Sequence, residues 1–314
     1  MKNLFKRKFK LTILLILIFT ICKLTIDIKV SNGKNISDNL EVNNENSNYN
    51  RDKAREYAIK WAITPNKEYY NYVNDGGDCT NFVSQVLRAG GMEFMGNKNS
   101  ATSIKSWFYY SSNLPNRTVT WTAAKEFNSH FGKEDKRVYN YRELKIEEAL
   151  INWDKIHNSI YIGDIVQYSR PNNIAFHSQV ITDLLDKKTI YFSQHSNSME
   201  NFYKDGNLKY YLLGKPDDYN FLIYNIKSEN NINSSRETVI LTEDDYKKEL
   251  KEAIDMIRIS IEDTRFDNES YKNSDTEEFI YNMEKKLYKV EYERYSRSKS
   301  SKELLEYLMD RSDL

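Results

Sequence analysis

Between Gly76 and Gly91 the sequence spells out one helix with both ends marked, and a cysteine stands at its first position. Asp78 is a residue type that caps helices. Phe82, Val83, Val86 and Leu87 recur at helical spacing, and Gly90-Gly91 stop the run. A helix with so apolar a stripe needs a sheet or other helices to lie on, which commits the chain to a layered fold. Upstream, Ala54, Tyr57, Ala58, Trp61 and Ala62 mark another helix, which Pro65 closes. Helical patterns also appear around 104–110, 123–131 and 144–156. Strand patterns then follow at 164–169, 177–184 and 189–196, the last two joined by a turn at Asp186-Lys187, and 210–213 and 221–226 add two more. Helices first and an antiparallel sheet afterwards predict an α+β domain over 51–227.

The ends read differently. Lys2, Lys6, Arg7, Lys8 and Lys10 precede an apolar run at 11–22, shorter than the ~20 residues that span a bilayer. Residues 1–30 are therefore read as a signal peptide or an N-terminal membrane anchor, and either places the remainder outside the cytoplasm, secreted or held at the cell envelope. The Asn-rich stretch 31–50 reads as a flexible spacer. After a Ser/Asn-rich linker at 228–237, capping boxes at Thr242/Asp245 and Ser274/Glu277 precede apolar stripes that include Ile254, Ile257, Leu287 and Val290. Residues 238–314 are thus expected to form a charged helical appendage, packed on itself or on the catalytic body. With its boundary at 238, deleting it is expected to leave that body folded.

Lys and Arg total 46, as do Asp and Glu, so no global field points to nucleic acid as a partner. With the leader removed, Cys79 is the one remaining thiol. No internal disulfide is then possible, and Cys79 is a thiol paired between molecules, a functional thiol or an inert buried one.

At the first turn of a capped helix, a thiol meets unpaired N–H groups and the positive end of the dipole. Both favour the thiolate over the ordinary thiol, whose pKa is about 8.5. The same N–H groups suit the oxyanion formed when the thiolate attacks a carbonyl. An imidazole base is then required, with a polar group to orient it. His177 opens a strand, and the neighbouring strand ends in Gln194-His195-Ser196-Asn197. A hairpin brings either His195 or Gln194 beside His177, because alternation puts them on opposite faces. Cys79, His177 and His195 could also be imagined around a zinc ion, but no C-x₂-C or H-x₃-H spacing supports one, so neither metal nor cofactor is expected. Asp78 is expected to serve as an N-cap, Asn81 to bond a loop carbonyl, and Asp164 to start a strand with turn bonds. His130 and His157 are expected on half-exposed helical surfaces, and Tyr70, Tyr72 and Asn74 in loop packing.

The segment Gly76-Gly77-Asp78-Cys79-Thr80-Asn81-Phe82-Val83-Ser84-Gln85 resembles the Putative amidase domain family, a relative of the NlpC/P60 and CHAP cysteine hydrolases. Gly163-Asp164-Ile165-Val166 and the strand opened by His177 follow in that group's order, and the likeness spans about 51–225. It implies a papain-like fold, Cys79 as nucleophile, His177 as base and His195 as the third catalytic residue, with Gln194 and Asn197 as alternatives. It also implies a cysteine hydrolase cutting amide bonds through a thioester, with peptides or peptidoglycan stems as substrate. The same resemblance leaves room for a catalytically silent envelope-binding module or an acyltransferase using that thioester.

Overall fold

The computed structural model describes residues 49–135, 137–185 and 189–228, and beyond these residues 256, 259, 281–282, 285–292 and 309. The leader and most of the spacer, the turn at Asp186-Lys187, the linker and most of the appendage lie outside the described residues.

Six strands form one antiparallel sheet in the order β1-β6-β2-β3-β4-β5. They are β1 (Val138–Lys145), β2 (Ile165–Ser169), β3 (Ala175–Leu185), β4 (Thr189–Gln194), β5 (Tyr203–Asn207) and β6 (Asn220–Ile226). Alternation divides the sheet's side chains between two cores. Leu222, Tyr224 and Ile226 of β6, with Ile165 and Val180, face helices α1 (Arg51–Trp61) and α2 (Cys79–Ala89). Phe221 and Ile223, with Val166, Tyr168, Ile181 and Phe192, face the other way, toward α5 (Ile146–Ile151), α6 (Trp153–His157) and α7 (Leu208–Leu213). Two short helices, α3 (Val119–Thr122) and α4 (Ala124–Ser129), complete the first layer. The molecule is therefore mixed α/β, with helices on both faces of the sheet.

Three local expectations are corrected. Residues 210–213 are helical, because the Asn207 side chain accepts from Lys209 N and Tyr210 N and so starts α7 where a strand was expected. The segment around 104–110 is extended, held by bridges from Met95 to Trp107 and from Tyr109 to Arg117. β1 falls where no strand was expected; its residues are partly buried or exposed at the sheet edge, none of them fully buried, which leaves little apolar period to read.

Met256, Leu287, Tyr288 and Val290 are buried in the same core as Leu150, Trp153 and Tyr211. Ion pairs Lys209–Glu291 and Lys286–Asp217 fasten this covering to α7 and the loop after it. These appendage residues share one core with the body of the sheet.

Candidate active site

Helix α2 is buried along nearly its whole length although it carries Thr80, Asn81, Ser84 and Gln85. Buried polar groups are costly unless bonded, and each of these is bonded. The Thr80 hydroxyl lies 3.0 Å from that of Ser178. Asn81 donates to Tyr70 O at 3.0 Å, the expected loop carbonyl, and accepts from the Trp121 indole at 2.8 Å. Ser84 donates to Trp121 O and accepts from Trp107, and Gln85 accepts from the Tyr57 hydroxyl, which Asn66 also meets. The Asp-Cys-Thr-Asn-Phe segment thus fixes the helix in depth and rotation as well as carrying the thiol.

Cys79 begins this helix, with a relative exposure of 9%. Among the described residues its sulfur has one polar neighbour, Thr80 Oγ1 at 3.7 Å, and no hydrogen bond joins it to His177. The residues that follow them, Thr80 and Ser178, touch through their hydroxyls, so the two segments meet side by side. Such a pair often tightens into a hydrogen bond only with substrate present.

His177 Nε2 lies 2.9 Å from Gln194 Oε1. The amide's orientation follows from its neighbours: Gln194 Nε2 donates to the Asn201 carbonyl at 2.8 Å, and Oε1 also accepts from Gln179 Nε2 at 2.6 Å. Gln179 is itself oriented by the Tyr168 hydroxyl, which donates to its Oε1. Facing a carbonyl oxygen, Nε2 of His177 is the nitrogen that donates. Tyr168 and Tyr211 stack near the imidazole, with centroids at 6.0 and 6.1 Å.

His195 is placed elsewhere. Its Nδ1 lies 2.6 Å from Asp78 Oδ2 and its Nε2 2.7 Å from Trp61 O, and the ring is stacked between Phe82 and Phe202 at 4.1 and 3.8 Å. Both nitrogens are committed, so the structure brings Gln194, and not His195, to His177. The reason is register: β4 pairs Ser193 with Val180, which sets Gln194 beside Gln179 and turns His195 toward α2. Asn197 lies beside Gly77, and its Oδ1 accepts from Ser196 Oγ. Gln179 went unnoticed in the sequence, although its position two residues after His177 on a strand was a usable signal.

Asp78 does not cap α2 with its side chain. Its Oδ1 accepts from Tyr72 N and Asn81 Nδ2, and its Oδ2 faces His195. Among the described residues the N–H groups of Cys79, Thr80 and Asn81 have no acceptor, and the first intrahelical bond runs from Phe82 N to Asp78 O. Gly76 and Gly77 lead in with φ of 98° and 106°, backbone that side chains resist. Burial pushes the Tyr72 hydroxyl up to about 12, and it donates to Ser112 O at 3.0 Å.

The remaining candidates are structural. Asp164 is fully buried and accepts from Arg51 Nη1, Ile226 N, Tyr161 N and Asn225 Nδ2, tying α1 to β2 and β6. His130 and His157 are buried, not half-exposed: His130 meets Ile104 O and Asp135, and His157 meets Leu185 O. No cluster able to hold a metal ion occurs among the described residues, and none of their helices is long and apolar enough to cross a membrane.

Residues 48–224, more than half the chain, match the family model described as "Putative amidase domain". The chain belongs to that family. Over 188 residues it is 28% identical to Uncharacterized protein YjcM of Bacillus subtilis (strain 168), covering 54% of this chain and 39% of that protein. No solved structure matches. The family's span takes in α1, α2, Gly163-Asp164, His177 and Gln194, and ends within β6. Amide hydrolysis is the chemistry that membership suggests.

Proposed function

We propose that the protein is an exported, cysteine-dependent amidase of papain-like fold that cuts amide bonds in cell-envelope peptides, peptidoglycan stems being the leading substrate. The observation that carries the reading is the uncapped first turn of α2, with the chain's one described thiol on it and an imidazole of fixed tautomer on the adjoining strand. In this reading the Cys79 proton passes to His177 Nδ1 as sulfur attacks the carbonyl carbon. The resulting oxyanion is met by N–H groups of the α2 first turn. The imidazolium then protonates the leaving amine as the C–N bond breaks, leaving a thioester on Cys79. Water, deprotonated by His177, attacks the thioester, and the thiol is regenerated with the free acid. Gln194 Oε1 holds the ring through Nε2 and stabilises its charged form. Export rests on the basic and apolar pattern of residues 1–30, and the envelope substrate on export and family together.

The test is mass spectrometry of muropeptides and of a peptide library after incubation with the protein. New amine and acid termini are expected, abolished by Cys79→Ala and by iodoacetamide and unaffected by a chelator. Cleavage that survives Cys79→Ala refutes the thiol mechanism, and sensitivity to chelation points to a metal instead.

A further inference from the structure

The buried pair formed by His195 and Asp78 lies outside the proton path just described, yet it adjoins the residue that leads into Cys79. An aspartate before a helix ordinarily turns its carboxylate onto the N–H groups of the second or third helical residue. Here those are Thr80 and Asn81, and their N–H groups carry no acceptor among the described residues. The carboxylate is instead held by His195 Nδ1 at 2.6 Å on one oxygen, and by Tyr72 N at 2.8 Å and Asn81 Nδ2 at 2.9 Å on the other. His195 is in turn anchored by Trp61 O and by its stack between Phe82 and Phe202. Both ring nitrogens of His195 therefore face oxygens, Asp78 Oδ2 on one side and Trp61 O on the other.

We infer that His195 is a positioning residue that keeps Asp78 from capping α2, so that the first-turn N–H groups remain available to the thiolate and to the oxyanion. The inference rests on the thiol reading above. Its test needs no substrate, so it gives an answer whether or not an amide is ever cleaved. Without His195 the carboxylate turns onto Thr80 N or Asn81 N. That occupies the oxyanion donors and places a negative charge beside the sulfur.

The measurement is the rate of Cys79 alkylation by iodoacetamide against pH, with thermal unfolding to confirm the fold. In His195→Asn the amide nitrogen stands where Nδ1 stood and still reaches Asp78, while in His195→Gln it reaches only the Trp61 carbonyl. At pH 7, His195→Asn is expected to stay within about threefold of wild type and His195→Gln to fall about tenfold, the rates converging near pH 10 where every thiol is ionised. Adding Asp78→Ala to His195→Gln is expected to restore the rate, since alanine cannot cap. Equal losses in His195→Asn and His195→Gln, or no restoration by Asp78→Ala, overturn the inference. Should His195→Gln fail to fold, Asp78→Ala alone decides: a pH 7 rate within about threefold of wild type supports the inference, and a larger fall overturns it.

Discussion

Gln194 Oε1 stands 2.9 Å from His177 Nε2, and because its amide is pinned by Asn201 and Gln179 it presents an acceptor to that nitrogen and not a donor. In the proposed reaction this one contact sets the tautomer of the base. Gln194→Ala should therefore lower kcat by about 10²-fold with little change in KM, whereas Gln194→Glu, which keeps an acceptor, should retain more of the activity. Steady-state kinetics on whichever amide is cleaved checks it. Equal losses in the two variants would remove Gln194 from the role.

Gln179 acts one step further out. Gln179→Leu leaves His177 and Gln194 in place but removes one of the two contacts that orient the Gln194 amide, so that its NH₂ turns toward the imidazole part of the time. A fall in kcat of about tenfold is expected, with unchanged thermal stability to within a few degrees. A variant that loses its cooperative melt would show instead that the Tyr168–Gln179 bond is mainly a support of the sheet.

Asp164 should matter for folding and not for turnover. Its carboxylate neutralises Arg51 and satisfies three further donors in a fully buried position. Asp164→Ala is expected to cost about 3–5 kcal/mol in urea unfolding, because it removes a fully buried carboxylate on which four donors converge. A loss under 1 kcal/mol would contradict the account.

Acid should weaken the protein through Asp135. Burial alone would push this carboxyl up, but His130 and Arg137 outweigh it and hold it well below the usual carboxylate range. A carboxyl lowered by folding adds stability above its unfolded value of about 4 and loses it as pH falls through the folded value. Urea unfolding between pH 7 and 3 should therefore show stability declining below about pH 4, and Asp135→Asn should flatten that decline while reducing stability at pH 7. An unchanged slope in the variant would assign acid sensitivity elsewhere.

Deleting 238–314 should damage the catalytic body. The deletion strips Met256, Leu287, Tyr288 and Val290 from the core shared with Trp153 and Tyr211, and it unpairs Lys209 from Glu291. Poor solubility or loss of a cooperative transition is expected by light scattering and circular dichroism. A truncated protein that melts like the full chain would restore the boundary at 238.

The sequence made the central helix, four strands and the placing of Cys79 and His177 on them legible, because each is marked by local signals: a glycine stop, a period of two, a thiol at a helix start. What it hid was register. Whether Gln194 or His195 meets His177 depends on a one-residue choice in the β3–β4 pairing, and no local signal carries that information. Asp78 misled for a related reason. Its type predicts a cap, and the partner that diverts it lies 117 residues away. For the appendage, an apolar stripe announces that something will be covered without saying what, which is why packing on itself and packing on the body both stood open.

Helix α2 is seated by matched donors and acceptors as well as by its apolar stripe: Thr80 with Ser178, Asn81 with Trp121, Gln85 with Tyr57. Apolar packing tolerates a lost methyl by sliding; a hydrogen bond stranded in a dry interior has nowhere to slide. Random drift at these positions should thus proceed by paired replacement, one partner's change being tolerated only where the other changes too. The segment around the thiol is then hard to alter for reasons that would persist even in a descendant that had given up chemistry altogether.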